Sequence, residues 1–435
     1  MPAHPSIGTL LLNARQLAGQ GDAAAAAAEA AYQQILARSP GNTEAIAALG
    51  QLAVNRRDMP AAANFFSLAH HLDPANPQHG LDHAFALLSS DLLQDAVDVL
   101  QKTVTAQADC FNAWLMLGQV FDALNKPDDA LRAFHQAVLR AQGSGQWLTQ
   151  SSTPPAMLDA VIHAIKTVRQ GRRWLYHDSY DNVRQAFGST ALKRVDKALA
   201  GYLKELQVLP DSPHQQPRFF YIPDLPAGPY HDPALHTWSA ALAQAYPVIR
   251  AEALRTLAED SHFENFIQFR DSVKVEDYLR GENAAPAWEA LFFYRRGKRY
   301  DANHTRCPDT SKVLDSLDLC HVENEAPEIC FSVLTAGSEI LPHYGVTNAR
   351  LVMHLPLLMP ESCALHVFGG GEHHWREGEL VMFDDTFKHE AWNRSASTRV
   401  VLLMDCWNPH LDAAERQAVK QLLEAIGGMQ RAAMR

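Results

Sequence analysis

The sequence predicts an α+β multidomain chain: an N-terminal α-solenoid of repeated helical hairpins, then a β-rich C-terminal domain of sandwich or jelly-roll type with flanking helices. Three observations predict it. Helix-favouring sequence recurs with a 34-residue period in the first 145 residues. Near residue 208 the texture changes to prolines, aromatics and short apolar runs, and from 327 onward strand-like segments follow one another closely. At 435 residues the chain exceeds one ordinary domain, and 47% hydrophobic with 20% charged residues is enough to build sizeable cores.

The period is read from the turns first. Pro40 in "RSPGNTEA" and Pro74 in "LDPANPQH" stand one period apart, and the next turn, around Ala108, lacks the proline. "AWLMLGQVFDALNKPDDALRAFHQAVLRA" resembles the tetratricopeptide repeat, with Trp114, Leu117, Gly118, Phe121, Ala130, Phe134 and Ala137 at its signature spacings. Small residues let paired helices approach, and Leu117 and Phe134 fill the groove between hairpins. Earlier units carry Leu49, Gly50, Ala62, Phe66 and Ala69, then Ala84 and Ala96, with Ala28, Tyr32 and Ile35 as traces of one more. Such an array offers a groove for a peptide or protein partner and supplies no chemistry.

"AQGSGQWLTQSSTPPAM", residues 141–157, breaks the helical pattern. Periodicity resumes through 158–207. The expected organisation is therefore 1–145 as the repeat array, 146–207 as a helical extension, and 208–435 as the domain that carries chemistry.

Composition excludes several classes of function. A formal charge of −11 does not suit a phosphate-tracking nucleic-acid binder or electrostatic attachment to anionic lipid. No apolar run approaches the roughly 20 residues a bilayer needs, so no membrane span is expected. The start, "MPAHPSIGTLLLNARQ", lacks the cationic opening of an export signal. Six cysteines (110, 307, 320, 330, 363 and 406) show no CxxC spacing and read as reduced thiols in a cytoplasmic protein.

In the C-terminal part, "EICFSVLTA", "ARLVMHLPLLM", "CALHVFG", "GELVMFDD", "HEAWNRS" and "RVVLLMDCW" read as strands. His343 and His389 lie at strand ends, where a barrel mouth would bring them together. Arg399 opens an apolar strand. A buried guanidinium there requires an anionic partner. "LPHYGVTNARLVMHLPL", "WREGELVMFDDTFKHEAWNRS" and "TRVVLLMDCWNP" together resemble the aspartyl/asparaginyl β-hydroxylase family, over roughly 210–410.

The resemblance implies a double-stranded β-helix and an iron(II)- and 2-oxoglutarate-dependent oxygenase. It implies that His343 and His389 ligate the metal and serve catalysis. Arg399 and Ser332 would hold the distal carboxylate of 2-oxoglutarate, His354 would contact the cosubstrate's other end, and Arg350 also matches a family arginine, with a structural salt bridge as its plainer reading. Ordinary iron oxygenases place an acid two residues after the first histidine; here that position is Gly345, and the family is similar in lacking the acid.

Two departures stand out. Cys330 and Val352 occupy positions where family members that act on aspartyl side chains carry cations. "GGGEHH" lacks the Lys-Ser/Thr of a phosphate loop and reads as a hairpin with solvated histidines. The stretch before His389, with Asp384 and Asp385, reads as positioning that histidine. The expected function is hydroxylation of a C–H bond by Fe(II), 2-oxoglutarate and O2, on a peptide or protein side chain. The alternatives are a lipid acyl chain or small molecule as substrate, or a non-catalytic repeat scaffold.

Overall fold

The computed structural model describes residues 5–259, 263–267, 278–281 and 287–434. The chain forms two compact units, residues 1–172 with 431–435, and residues 173–430; residues 146–172 thus lie with the repeats and 173–207 with the sheets.

The first unit contains the helices Ile7–Ala18, Ala25–Arg38, Thr43–Asn55, Met59–Leu72, Pro77–Leu88, Leu93–Ala106, Phe111–Ala123 and Pro127–Gly143. Thr43, Pro77 and Phe111 begin the first helices of successive hairpins 34 residues apart, and Met59, Leu93 and Pro127 begin the second helices at the same interval. Ala25 falls on that register too, so the Ala-rich helix Ala25–Arg38 belongs to the array and buries Ala28, Tyr32 and Ile35.

Sterics set the period. Phe66, Leu100 and Phe134 occupy equivalent, fully buried positions. A Cβ added at Gly50 would come within 2.6 Å of the Phe66 ring, and one at Gly118 within 2.4 Å of Phe134. Only glycine admits the neighbouring helix this closely. Arg57, Asp91 and Asn125, again 34 residues apart, take left-handed φ values of 63°, 61° and 54° where one helix turns into the next. Asn42 and Asp58 cap the helices that follow them by accepting from the amides of Ala45 and Ala61.

The second unit is built on strands β1 (Tyr230–His231), β2 (Glu264–Asn265), β3 (Leu279–Gly281), β4 (Trp288–Arg295), β5 (Lys298–Arg299), β6 (Ile329–Leu334), β7 (Ser338–His343), β8 (Arg350–Leu358), β9 (Cys363–Val367), β10 (Gly371–His373), β11 (Val381–Phe383), β12 (His389–Asn393) and β13 (Arg399–Trp407). They form two antiparallel sheets. The larger runs β1-β11-β8-β13-β6-β4-β2, with β5 on β4, and the smaller runs β10-β9-β12-β7-β3.

Strand alternation then sorts the side chains. Phe331 and Val333 of β6, Leu351, Met353 and Leu355 of β8, and Val400, Leu402 and Met404 of β13 pack on one face of the large sheet, with Leu242, Ile249, Ala253 and Leu314 from flanking helices. The residues between them point the other way. There Val352, Leu334 and Phe383 meet Ile340, Leu365, Val367 and Ala391 of the small sheet. The site lies between those two inner faces.

Candidate active site

A cavity of about 180 Å³ opens between the sheets. Its lining follows from parity: Ser332 from β6, Arg350, Val352 and His354 from β8, and Arg399, Leu403 and Asp405 from β13 are alternate residues on the inner face. His343 and His389 reach the cavity from the small sheet.

The two histidines meet because β7 and β12 pair with His343 directly opposite His389. Their ring centroids are 4.1 Å apart. His343 Nδ1 donates to the Leu341 carbonyl at 2.7 Å, and His389 Nδ1 donates to the Phe387 carbonyl at 2.9 Å. A carbonyl can only accept, so both Nδ1 atoms carry the proton and both Nε2 lone pairs are left for a ligand. Burial lowers both pKa values, that of His389 to about 3 with the neighbouring His343 contributing. Both rings are thus neutral near pH 7, the form that binds metal. Among the described residues no group of three or more His, Cys, Asp or Glu side chains has the geometry to hold a metal ion.

At a second place in the cavity Arg399, His354 and Ser332 converge, and several of their polar atoms have no partner among the described residues. Arg399 is 1% exposed, and among the described residues its Nε has no acceptor and its one side-chain hydrogen bond is to Ser332 Oγ, 3.5 Å from Nη1. Burial holds its pKa down to about 10. Its guanidinium lies over Trp375, 4.7 Å from the ring centroid, and Trp375 Nε1 is itself buried and unpaired. His354, 5% exposed, has neither ring nitrogen hydrogen-bonded to any described residue, and burial together with Arg399 pushes its pKa well down. Ser332 Oγ accepts from Trp288 Nε1 at 2.9 Å, so its own proton is free to point elsewhere. An anion with several oxygens would satisfy these groups together.

Arg350 is brought to the same cavity beside Asp405, with Nε 3.5 Å from Oδ2, and donates to the Glu325 carbonyl. Glu328 and Asp385 line the cavity near it. Burial raises the carboxyl of Glu328 to about 7 and that of Asp385 to about 8. Gly345 is explained by Asp385: a Cβ at 345 would lie 2.1 Å from the Asp385 carboxylate. The space where the acid of the ordinary iron triad would begin is filled by a carboxylate from 40 residues further along the chain.

The two replaced cations have different surroundings. Val352 lines the cavity. Cys330 does not; it is 0% exposed, packed among Ala290, Phe292, Phe266 and Leu403. The glycine run turns the β9–β10 hairpin, with His374 exposed beside Glu372 and His373 half-buried against Tyr230. Asp384 accepts from the Thr386 amide and from Gln215, which ties down the loop before His389.

Sequence reasoning missed Trp288, Trp375, Glu328 and Asp405. For Asp405 a signal exists, since it is a lone acid in an apolar strand and its parity matches Arg399. Nothing in the local sequence of Trp375 shows that it will cover Arg399.

A sequence profile described as Aspartyl/Asparaginyl beta-hydroxylase matches residues 243–409. Aspartate beta-hydroxylase domain-containing protein 2 of Mus musculus is 32% identical over 257 residues, which cover 56% of this chain and 69% of that protein. The Ornithine lipid ester-linked acyl 2-hydroxylase of Rhizobium tropici is 30% identical, covering 42% of this chain and 61% of its own. Aspartyl/asparaginyl beta-hydroxylase of Homo sapiens is 30% identical over 133 residues, covering 30% of this chain and 17% of that protein. Proteins named aspartyl/asparaginyl beta-hydroxylase and acyl 2-hydroxylase are thus among the relatives, and the chain belongs to the aspartyl/asparaginyl β-hydroxylase family.

Proposed function

We propose that this chain is an iron(II)- and 2-oxoglutarate-dependent dioxygenase that hydroxylates a C–H bond of a peptide or protein side chain, on a double-stranded β-helix. The observation that carries the reading is Arg399: a buried guanidinium with no carboxylate partner among the described residues, in a cavity shared with two metal-competent histidines. The donor set fits the group. His343 and His389 would hold the metal through Nε2, and two neutral imidazoles suit ferrous iron. Once bound, iron and 2-oxoglutarate supply the oxidising chemistry of hydroxylation with O2 as oxidant.

The chain's own residues bind and orient. Arg399 offers a planar pair of N–H groups to the distal carboxylate, Ser332 adds its hydroxyl proton, and Trp375 covers the guanidinium and keeps it dry. His354, neutral at pH 7, donates one ring N–H to a cosubstrate oxygen. Phe383, Leu365, Ile340, Ala391 and Leu403 exclude water from the space next to the histidines. Asp385 fills the position beside Gly345 and so shapes the loop between His343 and Arg350.

A second reading, hydroxylation of an acyl chain, is favoured by this apolar wall and by the acyl 2-hydroxylase among the relatives. The repeat array supports the peptide reading, since helical-hairpin grooves suit extended peptides. No helix among the described residues is long and apolar enough to cross a membrane. The test is succinate release from 2-oxoglutarate with added iron(II), followed by a search for +16 Da products in peptide and lipid pools. No succinate under any iron loading sinks the proposal.

A further inference from the structure

Resting on the oxygenase reading, the cavity's polarity narrows the substrate. Arg399 serves the cosubstrate end. Around Arg350 the balance is different. Asp405 pairs with Arg350 and accepts the Glu328 amide at 2.7 Å, so that cation is committed. Arg295, whose charge also acts on Glu328, is engaged by Glu264 at 3.1 Å and by the Phe266 carbonyl. The Glu328 carboxylate lines the cavity and has no hydrogen-bond or ion-pair partner among the described residues. It lies just before β6, four residues from Ser332, and lines the cavity together with Val352, Phe266 and Trp288. Phe266 and Trp288 stack face to face at 4.0 Å, and their faces carry partial negative charge.

We propose that this end of the cavity receives a positively charged substrate group, the guanidinium or ammonium of a basic peptide side chain. Glu328 supplies the counter-charge, and the Phe266–Trp288 stack supplies an aromatic surface over which a cation rests. A carboxylate brought to the same place would meet Glu328 and Asp405 across apolar Val352, with Arg350 already paired. Burial first and Asp405 next raise the pKa of Glu328, against the opposing pull of Arg295, Arg350 and Arg296. His343 and His389 share this cavity, so the hydroxylated carbon would lie on the stem of the basic side chain.

The test is peptide binding to the full-length protein with Mn(II) and 2-oxoglutarate, under which nothing turns over. The probes are fluorescent peptides of one sequence carrying Arg, Lys, Leu or Asp at the central position. The Arg and Lys peptides are expected to bind at least about tenfold tighter than the Asp peptide, with Leu between, the scale of one charge-assisted contact. Glu328→Lys should reverse the order, and the milder Glu328→Gln should flatten it. Equal binding of all four peptides, preference for Asp, an order unchanged in both variants, or no binding at millimolar peptide overturns the inference. Succinate release, measured separately with iron(II), reports on the oxygenase reading alone. Its absence alongside ordered peptide binding would remove that reading and leave the cationic subsite standing.

Discussion

Arg399→Met separates the ligand's contribution from that of the fold. In the structure the guanidinium is 1% exposed, touches Ser332 Oγ at 3.5 Å and finds no carboxylate among the described residues. With its pKa held to about 10 by burial, the charged form is disfavoured in the folded state by on the order of 3 kcal/mol near neutral pH. The sign follows from a base whose folded pKa is depressed: the penalty is fully present below the folded value and is relieved only as pH rises through it. An unbranched apolar side chain of similar length removes the penalty while keeping most of the packing over Trp375. The ligand-free Met variant should therefore unfold at the same temperature as the parent or higher. Cosubstrate binding should collapse, because loss of one partner of a buried charge pair costs about 2–5 kcal/mol, or roughly 30-fold to several thousandfold in Kd. Calorimetric titration with 2-oxoglutarate and thermal unfolding without it read the two effects. A Met variant that binds 2-oxoglutarate like the parent, or melts well below it, would refute the assignment.

Other outcomes follow from the same geometry. His343→Ala or His389→Ala should each abolish succinate formation and Mn(II) retention in equilibrium dialysis; retention in both variants removes the ligand assignment. Gly345→Ala should already cut activity and lower stability by about 1–3 kcal/mol, since a Cβ there lies 2.1 Å from the Asp385 carboxylate; Gly345→Asp should be worse, and parental kinetics in the Ala variant would contradict the packing. Val352→Arg, on the cavity wall, should shift peptide preference toward aspartate by roughly tenfold, whereas Cys330→Lys, sealed from the cavity, should lower the melting temperature without that shift; competition between Asp and Leu peptides checks both. Gly118→Ala should destabilise the repeats by about 1–3 kcal/mol, because the new methyl would meet the Phe134 ring at 2.4 Å, and no change in thermal unfolding would show that the ring moves freely.

The repeats were legible because their cause is local. The residues that make the period, such as Gly50, Phe66, Gly118 and Phe134, are those whose sizes the hairpin contact requires. Yet the left-handed residues at Arg57, Asp91 and Asn125 carry no common chemistry and escaped notice. In the second unit, the alternation of Arg350, Val352 and His354 could be counted along the strand, but which alternate faces the small sheet could not. The meeting of His343 with His389 depends on the register of β7 against β12, which no spacing in the chain specifies. It was reached through resemblance. Gly345 could be read as a missing acid but not as a site filled by Asp385, since that contact joins two loops far apart in sequence. Trp375 and Trp288 were invisible for the same reason.

The hydrogen bonds that fix the two imidazoles have a consequence for how the protein is handled by its surroundings. Each ring is tied to a carbonyl two residues earlier in the chain, Leu341 for His343 and Phe387 for His389. Neither tie passes through an ion. If the pair holds iron as proposed, its arrangement would not depend on the ion, unlike that of small zinc modules, whose folding is driven by the metal they bind. Stripping by a chelator should leave the chain folded and ready for reloading. With only two side chains to grip the proposed ion, the loaded fraction would track the free ferrous iron around the protein, and iron supply itself would throttle turnover without any dedicated regulatory element.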